Sequence, residues 1–255
     1  MLFTYDGIVV GRREIGDNSC FIDILTEEQG IIEATAHGAK KINSPLLSSA
    51  ALFAYSKFCL SKNKLRYTVN SAKPIFSFHE IGADIEKLAL ASYFAQAIRF
   101  CTPQEQTQDS IVRFLAIALY ETKNAHRLET VRSAFELRLS AMLGYTPDLR
   151  ACCNCGCYEH NEMFFLPNRG EIFCGDCFDR EYKGHYFVLP PDTLAAMRNI
   201  LYAPLDRSFR FNIAGDAAAV LSRVTESYFL ARTERSFPAL EYYKGIRLPN
   251  NIDSI

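Results

Sequence analysis

Apolar and polar positions alternate in short runs through the first eighty or so residues. Segments 3–14, 20–26, 31–37, 51–60 and 65–70 are rich in Val, Ile, Phe, Tyr and Thr. Turn-forming clusters separate them: GDN at 16–18, EEQG at 27–30, INSP at 42–45 and SKNK at 61–64. A two-residue period bounded by turn residues predicts strands. Five of them in so short a stretch suit a small closed barrel, and both a five-stranded OB-fold and an SH3-like barrel fit the count. Alternation also sorts the faces of the last two runs. Leu52, Ala54, Phe58 and Leu60 fall on one side of the fourth, with Phe53, Tyr55 and Lys57 on the other. In the fifth, Leu65, Tyr67 and Val69 oppose Lys64, Arg66 and Thr68.

Beyond residue 80 the period lengthens to that of a helix. Asp84 is placed to cap DIEKLALASYFAQAIRF, where Ile85, Leu88 and Phe94 recur at roughly helical spacing, and Asp109 or Ser110 opens IVRFLAIALYETK. RLETVRSAFELRLSAML carries Leu128, Val131, Phe135 and Leu139 on one stripe and stops at Gly144, suited to the C′ position. PDTLAAMRNILYA and GDAAAVLSRVTESYFLARTE follow, opened by Asp192 and Asp216. Five apolar faces require partners, so the pattern predicts a helical bundle, interrupted by a cysteine-bearing insertion. The fold class is α+β multidomain. Its parts are a barrel at 1–79, a first helical part at 80–147, the insertion at 148–187 and a second helical part at 188–255.

Six of the nine cysteines sit in that insertion. LRACCNCGC puts Cys152, Cys153, Cys155 and Cys157 within six residues, and CGDC supplies Cys174 and Cys177. Cys152 and Cys155, eighteen residues, then Cys174 and Cys177 form a double C-x2-C pattern in the range of four-thiolate zinc sites. Two residues between ligands let a tight turn aim both sulfurs at one ion about 2.3 Å away, and two such turns complete a tetrahedron. Gly156 and Gly175 stand beside the ligands, where small residues let backbone amides approach sulfur. Phe164, Phe165 and Phe173 supply a miniature core around an NRG turn. So small a loop cannot hold itself, and metal binding worth roughly 10–16 kcal/mol would hold it. The register stays open: Cys153 and Cys157 compete with Cys152 and Cys155, and His160 or His185 can replace a sulfur. Four thiolates leave no open coordination position, so the zinc is structural.

Composition is ordinary for a globular chain, 49% hydrophobic and 22% charged. No apolar run reaches the roughly 18 residues of a membrane span. The start, MLFTYDGIVVGRRE, has an acid at Asp6 and strand-like alternation, unlike a signal or transit peptide. The expectation is a cytoplasmic protein, whose reduced thiols serve as metal ligands more readily than as disulfide partners. The net charge of −1 conceals an uneven distribution. Residues 34–79 contain no Asp or Glu and seven cations, Lys40, Lys41, Lys57, Lys62, Lys64, Arg66 and Lys73, whereas the remaining 21 cations face 29 acids. A polyanion senses such a zone within a Debye length of roughly 8–10 Å, not the mean charge. Rings stack on unpaired bases while Lys and Arg follow phosphates, so Phe53 and Tyr55 among these cations suit single strands. Seven phosphate contacts would give a salt slope of about −5 as an upper limit. The other reading packs Phe53 and Tyr55 against the helical part and leaves the lysines as a solvated surface.

Four stretches in this order, YDGIVVGRREIGDNSCFIDILTEEQGIIEATAHGAKK, SPLLSSAALFAYSKFCLSKNKLRYTVNSAKPIFSF, FELRLSAMLGYTPDLRACCNCG and GEIFCGDC, make the chain resemble the RecO family of bacterial DNA-repair proteins. The resemblance runs from residue 1 to about 245 and is sharpest where FELRLSAMLGY leads into Leu149, Cys152, Cys155 and Gly156. Cys153 and Cys157 depart from the pattern. The resemblance implies an N-terminal OB-fold, a helical domain and an inserted zinc loop. It also implies a cytoplasmic, nucleoid-associated recombination mediator of RecF-type repair. Such a protein binds single- and double-stranded DNA, anneals complementary strands and, with RecR, helps RecA replace the single-strand-binding protein SSB. The acidic, aromatic-ended tail of SSB would need a notch edged by cations, for which Arg99, Arg113 and Arg132 are candidates. No nucleotide hydrolysis is implied, and the chain has no G-x-x-x-x-G-K-[ST] loop. It also lacks H-E-x-x-H and the paired deaminase motifs, which argues against an enzyme built on His160 or His185. The expected phosphate contacts are Lys40, Lys41, Lys57, Lys62, Lys64 and Arg66, with Phe53 and Tyr55 stacking. The alternative is a zinc-stabilised scaffold whose barrel receives a protein partner and not DNA.

Overall fold

The structure, a computed structural model, describes residues 1–64, 66–102 and 110–247; Leu65 and Asp109 lie outside the described residues. Contacts divide the chain into two compact units, one from the described residues of Met1–Asn124 and Phe237–Ile255, the other from Ala125–Ser236. In sequence, the second unit is an insertion into the first.

The first unit opens with β1 (Leu2–Ile15), β2 (Ser19–Thr26), β3 (Gly30–Ala36), β4 (Ala54–Asn63) and β5 (Arg66–Ser77). These close into a barrel in the order β1-β2-β3-β5-β4. β1 returns to pair antiparallel with β4, and β3 meets β5 in parallel at Ala34–Tyr67 and Thr35–Thr68. This is the OB-fold, which decides between the two barrels that the strand count allowed. The period of two sets the core. Cys20, Ile22 and Ile24, Phe58 and Leu60, and Tyr67 and Val69 point inward and are buried. Ala39, Leu46 and Ala50, from the segment between β3 and β4, join the same core.

β5 runs on to Ser77, past the end that alternation predicts at Asn70. Pro74 reads as a breaker because it cannot donate to a ladder. The pairing shifts there: Ser56 faces Pro74 and Tyr55 faces Phe76, so Ile75 is an extra residue. A bulge is where a strand tolerates proline. A second shift falls in β1 between Val9 and Gly11. A Cβ on Gly11 would stand 2.4 Å from the Asp23 carboxylate. Glycine leaves room for Asp23 to pair with Arg99 at 2.7 Å.

Three helices complete this unit: α1 (Ile85–Cys101), α2 (Ile111–Asn124) and α6 (Pro238–Arg247). Asp84 caps α1 as expected, its Oδ1 accepting from the N–H groups of Glu86 and Lys87 at 2.9 and 3.2 Å. Sequence pattern gives no sign of α6, which buries only Leu240 and Tyr243. Packing makes it a helix. Gln96 Oε1 accepts from the Ala239 N–H at 3.0 Å, and the Phe237 ring meets Tyr93 edge-on at 5.7 Å.

The second unit contains α3 (Leu128–Met142), β6 (Met163–Leu166), β7 (Glu171–Cys174), β8 (Phe187–Leu189), α4 (Pro191–Tyr202) and α5 (Gly215–Thr233). Gly144, at φ 88°, closes α3 with its N–H on the Ala141 carbonyl. Asp192 and Asp216 lie in the first turns of α4 and α5 and do not cap them; Pro190 and Ala214 hold the cap positions. Pro191 is preset for the first helical residue, which starts α4 one position early. The carboxylates still meet the positive end of each helix dipole.

The strands form an antiparallel sheet in the order β7-β6-β8. Its inner face, with Met163, Phe165, Ile172 and Leu189, merges with Leu137, Leu194, Met197, Ile200, Leu221 and Tyr228 of the helices. On the outer face Phe164 stacks on Phe178 at 4.1 Å. The three phenylalanines therefore do not make one miniature core. Phe165 belongs to the helical core, Phe164 to the outer cluster, and Phe173 borders both. Among the described residues no helix is long and apolar enough to cross a membrane.

Candidate functional site

Strand register assembles a groove on the outside of the barrel. Arg13 on β1 faces Phe21 on β2, Phe21 faces Thr35 on β3, and Thr35 faces Thr68 on β5. Phe21, Thr35 and Thr68 point outward because each lies between buried neighbours, and Arg13 is exposed beside them. The groove holds about 870 Å³ and is lined by Phe21, Thr35, His37, Lys64, Arg66 and Thr68 among others, with no carboxylate among the described residues of its lining. Arg13 covers the Phe21 ring at 5.5 Å, its guanidinium also paired with Glu33. Lys64, at φ 54° in the β4–β5 turn, and Arg66, at the start of β5, are both exposed.

The other expected phosphate contacts are distributed differently. Lys40 donates to Glu14 at 2.8 Å, and that hydrogen bond draws the Glu14 carboxyl below the usual carboxylate range. Lys57 stands 3.5 Å from Asp6. Lys62 lies over the Tyr67 ring at 4.8 Å. Lys41 is exposed in the turn after β3. Residues 34–79 are free of acid in sequence but not in space, because β1 brings Glu14 and Asp6 across to two of these lysines.

Phe53 requires correction as a stacking residue. It precedes β4, adopts φ 64° and is 3% exposed, so its ring is part of the interior. The strand that alternation predicts from residue 51 begins only at Ala54, so Phe53 lies outside its alternation. Tyr55 does face outward, half-buried, but burial and then Asp6, Glu27 and Glu28 push its hydroxyl pKa up, so its surroundings are acidic. Phe21 and His37 are the groove residues that sequence reasoning missed. A lone outward ring on β2, between buried Cys20 and Ile22, was the available signal.

Of the three arginines considered for a partner's tail, Arg132 is corrected outright. It is 4% exposed and donates to Glu136 at 3.0 Å, Glu226 at 2.5 Å and Ser222 at 2.5 Å. Its role is internal. Arg99 is tied to Asp23, and Arg113 is exposed on α2.

In the second unit, folding brings four thiols together. The sulfurs of Cys152, Cys155, Cys174 and Cys177 all lie within 4.8 Å of one another. Cys174 arrives at the end of β7, and Cys152 and Cys155 arrive on a tight loop. That loop is closed by Cys152 N–H to the Cys157 carbonyl and Gly156 N–H to the Cys152 carbonyl. Gly156 takes φ 73°, a conformation that favours glycine. Neither flanking glycine gives its N–H to sulfur: Gly175 donates to the Glu162 carbonyl and the His160 ring. His160 and His185 are not in the cluster, and Cys157 donates to the Glu159 carbonyl.

The thiols compete for charge. Burial opposes ionisation of Cys152, yet backbone N–H groups of Cys155, Cys174 and Asn154 bring its pKa down to about 6. Burial and Cys155 hold Cys174 up. Asn154 favours the Cys177 thiolate, but Cys155 and Cys174 prevail and push it up to about 12. Cys152 is thus the thiol that ionises readily, while Cys174 and Cys177 are held in the protonated form. A cation at the centre would relieve that conflict, so four converging thiols are a donor set that fits a soft metal ion.

Comparison with known proteins agrees with this architecture. The chain matches the family described as Recombination protein O N terminal over residues 1–78, and that described as Recombination protein O C terminal over 82–241. The DNA repair protein RecO of Alkaliphilus metalliredigens is 33% identical over 249 residues, covering 96% of this chain and all of that one. RecO of Symbiobacterium thermophilum is 29% identical over 250 residues, covering 96% and 98%. RecO of Bacillus subtilis is 24% identical over 229 residues, covering 90% and 89%.

Proposed function

The chain belongs to the RecO family of DNA repair proteins, and on that footing we propose that it is a non-enzymatic recombination mediator whose barrel groove binds single-stranded DNA. The supporting observation is the groove itself: a half-buried ring, two exposed cations and polar side chains, with no acid among the described lining residues. It occupies the surface of β2 and β3 and the β4–β5 turn, where OB-folds receive oligonucleotides. Phe21 stacks on a base, and Lys64 and Arg66 hold phosphates. The mechanism is physical. Neutralising two backbones on one protein lowers their repulsion and lets complementary strands pair. The protein acts in the cytoplasm, with RecR, to help RecA replace SSB. The four thiolates hold Zn2+, whose full tetrahedral shell makes it structural.

A labelled oligonucleotide followed by fluorescence anisotropy, together with a strand-annealing assay, tests this reading. Phe21→Ala should lower the affinity for single strands by about 1–3 kcal/mol and slow annealing in step. Unchanged affinity would remove the groove from the mechanism.

A further inference from the structure

One side chain outside the thiol cluster is built around it. Arg198 projects from α4, whose Leu194, Met197, Ile200 and Leu201 are buried in the core of the second unit. Its Nε donates to the Leu149 carbonyl at 2.8 Å. One terminal nitrogen, Nη2, donates to the carbonyls of Arg150 at 3.1 Å and Tyr158 at 2.8 Å. The guanidinium carbon lies 3.9 Å from the centroid of the Tyr158 ring. Leu149 and Arg150 enter the loop that carries Cys152 and Cys155; Tyr158 leaves it. A single rigid guanidinium edge thus ties both ends of the first ligand-bearing loop to a helix whose inner face is buried.

We propose that Arg198 is a positioning residue for the metal centre, holding this loop in its ligating shape whether or not the ion is present. The inference rests on the reading that the four thiols hold a metal. The second pair of ligands needs no such device, because Cys174 ends β7 and Cys177 follows in a turn bonded back to the Cys174 carbonyl. Planarity is what matters. The three bonds come from one face of a fork, and the ring contact comes from its flat side, neither of which an ammonium reproduces. Arg232 on α5 is the natural comparison. It donates to the carbonyls of Pro167 and Asn168, at the β6–β7 turn, and touches neither ligand loop.

The test loads the full chain with Co2+, whose thiolate absorption bands report the site, and follows metal release into excess chelator. Arg198→Met and Arg198→Lys should both release metal about tenfold faster or more, the scale on which outer partners of metal ligands act. The cobalt spectrum should also broaden in both. Arg232→Met should release at the unaltered rate, although its unfolding temperature falls. Release from Arg198→Met within twofold of the unaltered chain would overturn the proposal. So would equal acceleration in Arg232→Met, which would mean general loosening. If the Met variant does not fold, Arg198→Lys carries the same criterion. A chain that takes up no cobalt at all would instead overturn the metal reading on which this one rests.

Discussion

At the scale of single residues, environment outweighs residue type. Arg132 and Arg66 are the same side chain, yet one is an internal strut and the other an exposed groove cation. Arg132 satisfies Glu136, which is fully buried on the next turn of α3 and also accepts from Thr225 at 3.0 Å. Arg132→Ala would strand that carboxylate, and removing one partner of a buried pair costs about 3–5 kcal/mol. Chemical denaturation should record the loss, and a drop below about 1 kcal/mol would mean that Glu136 finds another partner. Phe53→Ala should likewise cost about 3–5 kcal/mol of stability while leaving the oligonucleotide affinity of the folded protein unchanged. A selective loss of binding would return Phe53 to the interface.

At the scale of elements, strands and most helices were legible because their signals are local. A two-residue period, a capping aspartate at Asp84 and a C′ glycine at Gly144 each act within a few residues. The C-x2-C pairs were legible for the same reason. What escaped was set by distant contacts. α6 exists because Gln96 and Tyr93 receive it, and Lys40 is neutralised by Glu14, which lies 26 residues earlier. The cysteine insertion illustrates the difference. Its sheet shares a core with α4 and α5, so a bound metal would need to hold only the ligand loops. Chelation should therefore loosen residues 150–158 and 175–186 in hydrogen exchange and leave β6 protected. Loss of protection throughout β6 would show that the sheet depends on the ion. Uptake must also displace protons, because the Cys174 and Cys177 thiols are held up; affinity should weaken as pH falls. A zinc titration at two pH values checks the sign, and affinity independent of pH would contradict it.

At the scale of the whole molecule, the chain leaves the first unit at Asn124 and re-enters it at Phe237. The barrel, α1, α2 and α6 have their own core and capping contacts. Joining residues 1–124 to residues from 237 onward through a flexible linker should give a protein that unfolds in one transition and still binds single strands. The sequence spreads the expected phosphate contacts over the barrel, whereas the fold brings Lys64 and Arg66 together along the groove that holds the Phe21 ring, with Arg13 over that ring. The most direct measurement is the salt dependence of single-strand binding for Lys64→Glu with Arg66→Glu, set against Lys57→Glu with Lys73→Glu. Loss of two single-strand phosphate contacts should flatten the slope of log K against log salt by about 1.4 in the groove pair. The second pair should keep the unaltered slope. Equal flattening in both, or in neither, would contradict the groove.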